Sequence, residues 1–348
     1  MSAKKAVDAR QERLTKLKGV LDKIDPTSVV NLDSTDVVAC EMLPTGILGI
    51  DSVLGGGIPL GRVVEVFGNE GSGKTTLCSH IVAAAQARGN IATYIDVENS
   101  YDMTYAVVLG VDPEAIIFDQ PTSGEKAWDV AIQAIEDGQP GDVIIMDSMA
   151  ALVPLAELEG EMSDQFIGLQ ARLLGKGFRK TLETISKHKV ILVCVNQLRD
   201  KVGGMAWGEK ETTPGGRALK YYASQRIQLI NCGKIKDEEG DKKDKEILGQ
   251  EVIVKTIKNK VFIPFRQVKL PLMFGKGFSK VDSVFDLALE KSLILREGPM
   301  YTVYTINDEG QPAAEGEKFK GLAAVKEYYK NQPEQFVRLE AAVKARLF

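Results

Sequence analysis

Residues 68–76 read Gly68, Asn69, Glu70, Gly71, Ser72, Gly73, Lys74, Thr75 and Thr76, between a largely apolar run at 62–67 and a helix-forming run at 77–87. This G-x-x-x-x-G-K-T spacing, set between a strand and a helix, constrains the fold more than any other stretch. The glycines let successive backbone N–H groups curl around a polyphosphate, and the following helix adds the positive end of its dipole. Lys74 is long enough to reach β- and γ-phosphates, and the Thr75 hydroxyl suits a magnesium ion. The chain is therefore expected to bind a nucleoside triphosphate, with residues 68–76 as its cradle.

From this loop onward strand and helix patterns alternate. Runs at 91–97, 116–118, 142–147 and 190–196 read as strands, and segments near 103–109, 124–136 and 168–186 read as helices. Strands that are apolar throughout fit a sheet covered on both faces, so the pattern predicts an α/β fold with a doubly wound, mostly parallel sheet. Segments 225–231, 250–258 and 267–272 follow one another without a helix and are expected to extend that sheet as antiparallel strands. The charged stretch 234–246 around Gly240 reads as a solvated hairpin tip. From about Lys276 the pattern becomes a helix at 282–291, short strands with 301–306, a turn at Asp308-Glu309-Gly310, and helices at 318–330 and 333–347. At the other end, Val7, Leu14, Leu17, Leu21 and Ile24 recur at helical spacing, giving one amphipathic helix over 3–24. Its apolar stripe docks either on its own domain or on a neighbouring subunit. Residues 37–42 read as a short strand and 46–61 as a turn-rich lead into the phosphate loop. The expected division is an N-terminal helix and linker at 1–36, an ATP-binding core at 37–275, and a small α+β C-terminal domain at 276–348.

A net charge of -4 gives no global attraction to nucleic acid, so any such contact must come from local basic stretches. The four cysteines, Cys40, Cys78, Cys194 and Cys232, are far apart, and only two histidines accompany them. No zinc site is expected, and a reducing compartment is the simpler reading. The N-terminus is charged from Lys4 onward, and no run of about 18 apolar residues occurs, which points to a cytoplasmic protein.

Folds of this type place ligands at the C-terminal ends of parallel strands, and polar residues stand there one after another. Asp147 closes the third of the apolar runs and is the candidate magnesium carboxylate beside the phosphate loop. Glu98, ending 91–97, is a candidate base for in-line attack of water on the γ-phosphate; Asp96 is its rival on the same strand. Gln197 is placed to feel the γ-phosphate. The loop 198–216, with Arg199, Lys201, Val202, Trp207, Gly215 and Gly216, is long and without periodicity, as functional loops often are. A second loop at 157–168 leads into a helix carrying Arg172, Lys176, Arg179 and Lys180. With Lys255, Lys258, Lys260, Arg266 and Lys269, these cations form basic stretches that suit a phosphate-tracking groove.

These motifs resemble the bacterial RecA recombinase family from about residue 10 to the C-terminus. The resemblance is carried by residues 68–76, Ile95-Asp96-Val97-Glu98, residues 143–148 with Met149-Ala150-Ala151-Leu152, Glu159-Gly160-Glu161, Asn196-Gln197, Gly215-Gly216 with Ala218-Leu219-Lys220, and Lys258-Asn259-Lys260. It implies an ATPase core, a C-terminal lobe, and an N-terminal helix that packs on the next protomer. Carried onto matching positions, it implies that Lys74, Thr75 and Asp147 serve ATP and Mg2+, Glu98 is the base, Gln197 the γ-phosphate sensor, and Tyr105 with Asp102 the adenine contact. Lys258 and Lys260 would reach the neighbour's nucleotide, in the manner of an arginine finger. The loops at 157–168 and 198–216 would bind DNA. Arg172, Arg179, Arg199, Lys201, Gly215 and Gly216 would meet the backbone, and Ile167 and Val202 would separate base steps. Trp207 is an aromatic positioned to stack on bases.

The implied function is a DNA-dependent ATPase that forms a filament on single-stranded DNA and pairs it with homologous duplex in recombination and repair. A self-cleaving repressor of the damage response is a further implied partner. A ring-forming ATPase with the same core, of helicase or signalling type, is the alternative. Departures from the family pattern fall at Asn99-Ser100, Pro214 and Arg217, and in a second loop one residue longer around Ala206-Trp207. The end at Arg346-Leu347-Phe348 lacks the acidic tail of many members, so autoinhibition by such a tail is not expected.

Overall fold

A computed structural model of the chain describes residues 3–24, 40–161, 166, 168–200, 211–237 and 246–348. The chain divides into two units, Met1–Glu41 and Met42–Phe348. The first holds the helix Ala3–Ile24, with Lys23 in its last turn, whose charge suits the negative end of the helix dipole. Val7, Leu14, Leu17 and Leu21 of its apolar stripe are exposed. Residues 37–39 of the expected strand lie outside the described residues; the strand observed is Met42–Leu43, antiparallel to Ile58–Pro59.

Among the described residues the second unit is built on a nine-stranded sheet. Its spatial order is Gly277–Phe278, Gln267–Met273, Ile247–Asn259, Gln225–Lys236, Val63–Gly68, Ile191–Gln197, Val143–Asp147, Ala92–Asp96 and Ile116–Asp119. The strands from Gln225–Lys236 to Ile116–Asp119 are mutually parallel. Ile247–Asn259, Gln267–Met273 and Gly277–Phe278 extend the sheet antiparallel. Gln225–Lys236 departs from the antiparallel expectation because the helix Ala218–Tyr222 returns the chain to the starting end of the sheet. The next hairpin makes the reversal. Its arms meet where Asp237 N–H donates to the Glu246 carbonyl at 2.9 Å, and its tip lies outside the described residues.

Period-two alternation divides the core. Val64 and Val66 face one layer with Leu77, Ile81 and Tyr94. Val63, Ile144, Met146, Leu192 and Cys194 face the other, against Trp128 and Phe178 of the helices Gly124–Glu136 and Leu169–His188. Glu65 is a fully buried carboxylate in this sheet. Such a group must be paired and hydrogen-bonded, and Arg226 and Asn196 hold it.

A third apolar core gathers Phe285, Tyr301, Val303, Tyr329, Leu339 and Val343. Around it stand the helix Lys280–Glu290, a sheet of Ile294–Glu297, Met300–Ile306 and Pro312–Lys320, and the helices Leu322–Asn331 and Pro333–Leu347. The helix expected at 318–330 is shorter at its start: residues up to Lys320 pair with Met300–Ile306, and Gly321, at φ 82°, turns the chain into Leu322. Strand pairing of Phe319 with Tyr301 overrides the helical spacing. Asn307 closes the expected turn, its side-chain oxygen accepting the N–H groups of Glu309 and Gln311 at 3.0 and 2.8 Å. Among the described residues no helix is long and apolar enough to cross a membrane.

Candidate active site

The phosphate loop leaves the sheet at Gly68. A Cβ there would lie 2.3 Å from the Leu229 carbonyl oxygen of the adjacent strand, so only glycine fits. Gly73, at φ 91°, turns the chain into the helix Lys74–Gln86, and a Cβ on it would strike Leu272 at 2.7 Å. The Lys74 ammonium folds back to the Asn69 carbonyl at 2.9 Å, and the Ser72 hydroxyl is buried without a hydrogen-bond partner. Gln250 Nε2 donates to the Gly71 carbonyl at 2.6 Å and braces the loop from an antiparallel strand. A cavity of about 380 Å³ opens over residues 71–76 and is also lined by Tyr105, Gln250, Leu272, Phe274 and Gly275. Asp102 caps the helix Met103–Val108, accepting the Tyr105 N–H at 3.1 Å, which fixes the start of the helix bearing Tyr105.

Beside the loop, Asp147 Oδ2 accepts hydrogen bonds from Thr75 Oγ1 at 2.9 Å and Tyr94 OH at 2.7 Å. Burial pushes the Asp147 carboxyl pKa up, and these two bonds pull it down. Burial lowers the Lys74 ammonium, against the attraction of Asp147 and Glu98. Glu98 Oε1 accepts from Gln197 Nε2 at 2.7 Å and from the Ser148 hydroxyl; neither engages Oε2. Asp96 is spent elsewhere: it is buried and accepts from Ser100 N, Tyr101 N and Gln120 Nε2 at 3.3, 3.1 and 3.1 Å.

At the same end of the sheet, a second cavity of about 440 Å³ brings together Arg199, Gly215 and Gly216 with Glu157, Phe166 and Gln170. Arg199–Asp200 and Glu211–Thr212 pair antiparallel, so the expected structureless loop has a short ladder at its base. Ile167, Lys201, Val202 and Trp207 lie outside the described residues. Gly215 and Gly216, at φ 84° and 73°, press against Leu174 and Ala171 of the helix Leu169–His188. Arg172 and Arg179 are exposed on that helix and do not line the cavity. Gln170 ties it to the segment after Asp147, donating to the carbonyls of Met149, Ala150 and Leu152.

The remaining cations fall on other elements. Lys258 Nζ donates to the Lys220 and Tyr221 carbonyls at 2.8 and 3.1 Å, Lys260 is exposed, and neither lines the phosphate-loop cavity of its own chain. Lys269 pairs with Glu251 at 3.5 Å, and the Arg266 guanidinium lies over the Phe262 ring. Sequence reasoning also passed over Tyr94, Gln170 and Gln250. Gln250 carried no local signal, since its strand also holds Glu251, Lys255, Thr256, Lys258 and Asn259.

A glycine-shaped anion cradle at the ends of parallel strands, with a lysine, a hydroxyl and carboxylates converging on it, defines a P-loop ATPase. The RecA N-terminal domain family matches residues 14–279. The chain is 40% identical over 341 residues to Protein RecA of Lactobacillus acidophilus, covering 97% of this chain and 89% of that protein. With Protein RecA of Salinispora arenicola it shares 39% identity over 98% of this chain and 94% of the relative. With that of Bacteroides thetaiotaomicron the figures are 40%, 96% and 98%. The chain belongs to the RecA family: it is an ATP-binding, DNA-dependent ATPase of recombination and repair that binds DNA and assembles into filaments.

Proposed function

We propose that ATP sits between adjacent subunits on residues 68–76 and that its turnover drives pairing of single-stranded DNA with homologous duplex in the cytoplasm. The observation that carries this reading is the hydrogen-bonded convergence of Thr75, Asp147, Glu98 and Gln197 at one end of the sheet. Lys74 binds the β- and γ-phosphates and Tyr105 packs on the adenine. Glu98, oriented by two donors on Oε1, takes up the proton of the attacking water at Oε2. Gln197 reads the γ-phosphate and Lys258 and Lys260 reach the neighbouring subunit's nucleotide. Arg172, Arg179, Arg199, Lys201, Gly215 and Gly216 hold the DNA backbone, with Ile167, Val202 and Trp207 among the bases. Units 1–36, 37–275 and 276–348 divide the work as subunit-packing arm, motor core and C-terminal lobe, and a self-cleaving repressor is a further partner.

The donor set fits a magnesium ion: Thr75 Oγ1 and Asp147 Oδ2 are hard oxygens 2.9 Å apart beside an anion cradle. When bound there, the ion supplies charge neutralisation at the phosphates. A proton competes with it for Asp147, whose pKa is raised by burial. As pH falls the carboxylate is therefore lost earlier than an ordinary aspartate would be. Mg2+-dependent ATP-analogue binding should weaken on acidification while pH is still above the usual carboxylate range. Titration with a fluorescent analogue at stepped pH checks this, and affinity flat down to the ordinary aspartate pKa contradicts it.

The trans placement has its own test. A Lys260→Ala chain and a Glu98→Gln chain, each inactive alone, should regain part of their ATPase activity when mixed, because mixed interfaces then contain one complete site. Failure at every mixing ratio contradicts the placement.

A further inference from the structure

A row of polar side chains crosses four neighbouring strands of the sheet. Arg226 is the register partner of both Lys258 and Glu65, and Phe67, two residues beyond Glu65, is the partner of Asn196. Glu65 is fully buried; its Oε2 pairs with Arg226 Nε and its Oε1 accepts from Asn196 Nδ2 at 3.2 Å. The Arg226 guanidinium also lies 4.6 Å above the Phe67 ring.

Asn196 is a fork. Its Nδ2 also reaches the Pro214 carbonyl at 3.3 Å, immediately before Gly215-Gly216, and its Oδ1 accepts the Gln197 N–H at 3.0 Å. Gln197 in turn donates to Glu98. At the other end Lys258 is the strand partner of Arg226; burial lowers its ammonium pKa most, Lys260 and Arg226 lower it further, and Glu65 opposes them. Stability alone gives no reason for the row, since a buried ion pair is often no better than apolar side chains of the same volume. What distinguishes it is its ends, at the base of the glycine loop, at Gln197 and at Lys258.

We infer that Glu65, Arg226 and Asn196 are positioning residues that couple the nucleotide state at Gln197 and Lys258 to the hold of residues 214–216 on DNA. The inference rests on the roles proposed above for Gln197, Lys258 and the glycine loop. Movement of Gln197 toward or away from a γ-phosphate pulls on Asn196. The same amide nitrogen serves Glu65 and Pro214, so the shift reaches the loop as a change in hydrogen bonding. By linkage, DNA on the loop biases the nucleotide site equally.

The test measures this linkage in the full-length protein. The affinity for a labelled single-stranded oligonucleotide is determined with and without a non-hydrolysable ATP analogue, and the ratio is the coupling factor. Glu65→Gln, Arg226→Gln and Asn196→Ala should each lower that ratio about tenfold or more, while analogue affinity without DNA stays unchanged. Asn196→Ala leaves the ion pair intact, so it remains decisive if a charge variant does not fold. A ratio kept at the unsubstituted value in Asn196→Ala, or DNA and analogue affinities falling together at constant ratio, overturns the relay. Absence of any nucleotide effect on DNA binding in the unsubstituted protein sinks the functional reading and the relay with it.

Discussion

Lys74→Ala is expected to lower ATP turnover by about 10²–10³-fold, the usual cost of removing one preorganised group that stabilises developing charge. Lys74 is the cation of the phosphate loop, drawn back to the Asn69 carbonyl at 2.9 Å and lining the cavity rather than the core. Burial lowers its pKa and the attraction of Asp147 and Glu98 opposes that shift only in part. The variant keeps the glycines and the helix N-terminus. It should fold, retain some nucleotide affinity, and lose chemistry. Steady-state hydrolysis with magnesium checks this, and an unchanged rate rejects the phosphate-loop assignment.

Glu98→Gln is expected to lower hydrolysis by about 10²–10⁴-fold while leaving binding of ATP analogue and DNA in place. The amide is nearly isosteric and still accepts from Ser148 or Gln197, but it cannot take a proton from water. Asp96→Asn makes the contrast. Its carboxylate accepts three hydrogen bonds from Ser100, Tyr101 and Gln120, so that change should lower the melting temperature. If instead Asp96→Asn stops chemistry in a folded protein and Glu98→Gln does not, the two roles are reversed.

The phosphate loop was legible because backbone curvature demands glycine at fixed spacing, and that demand is written locally. Glu98, Asp147 and Gln197 stood out because each ends an apolar run. The choice between Asp96 and Glu98 was not legible: both sit at the end of one strand, and what separates them is the chain arriving from Ser100, Tyr101 and Gln120. The Glu98–Gln197 bond joins residues 99 positions apart, and no local pattern encodes such closure. Tyr94 did not stand out because nothing in its own strand reveals the Asp147 oxygen beside it. The direction of Gln225–Lys236 was missed because the helix that returns the chain, Ala218–Tyr222, is too short to show periodicity. Local propensity likewise failed at Phe319, where its pairing with Tyr301 decides between strand and helix.

The most direct test of the central claim is steady-state ATP hydrolysis with magnesium, with and without single-stranded DNA, across salt concentration. The account predicts strong stimulation by DNA that declines as salt rises, because phosphate contacts on the two loops release counterions when they form. Hydrolysis indifferent to DNA at every salt concentration would leave the nucleotide site standing and contradict its coupling to DNA.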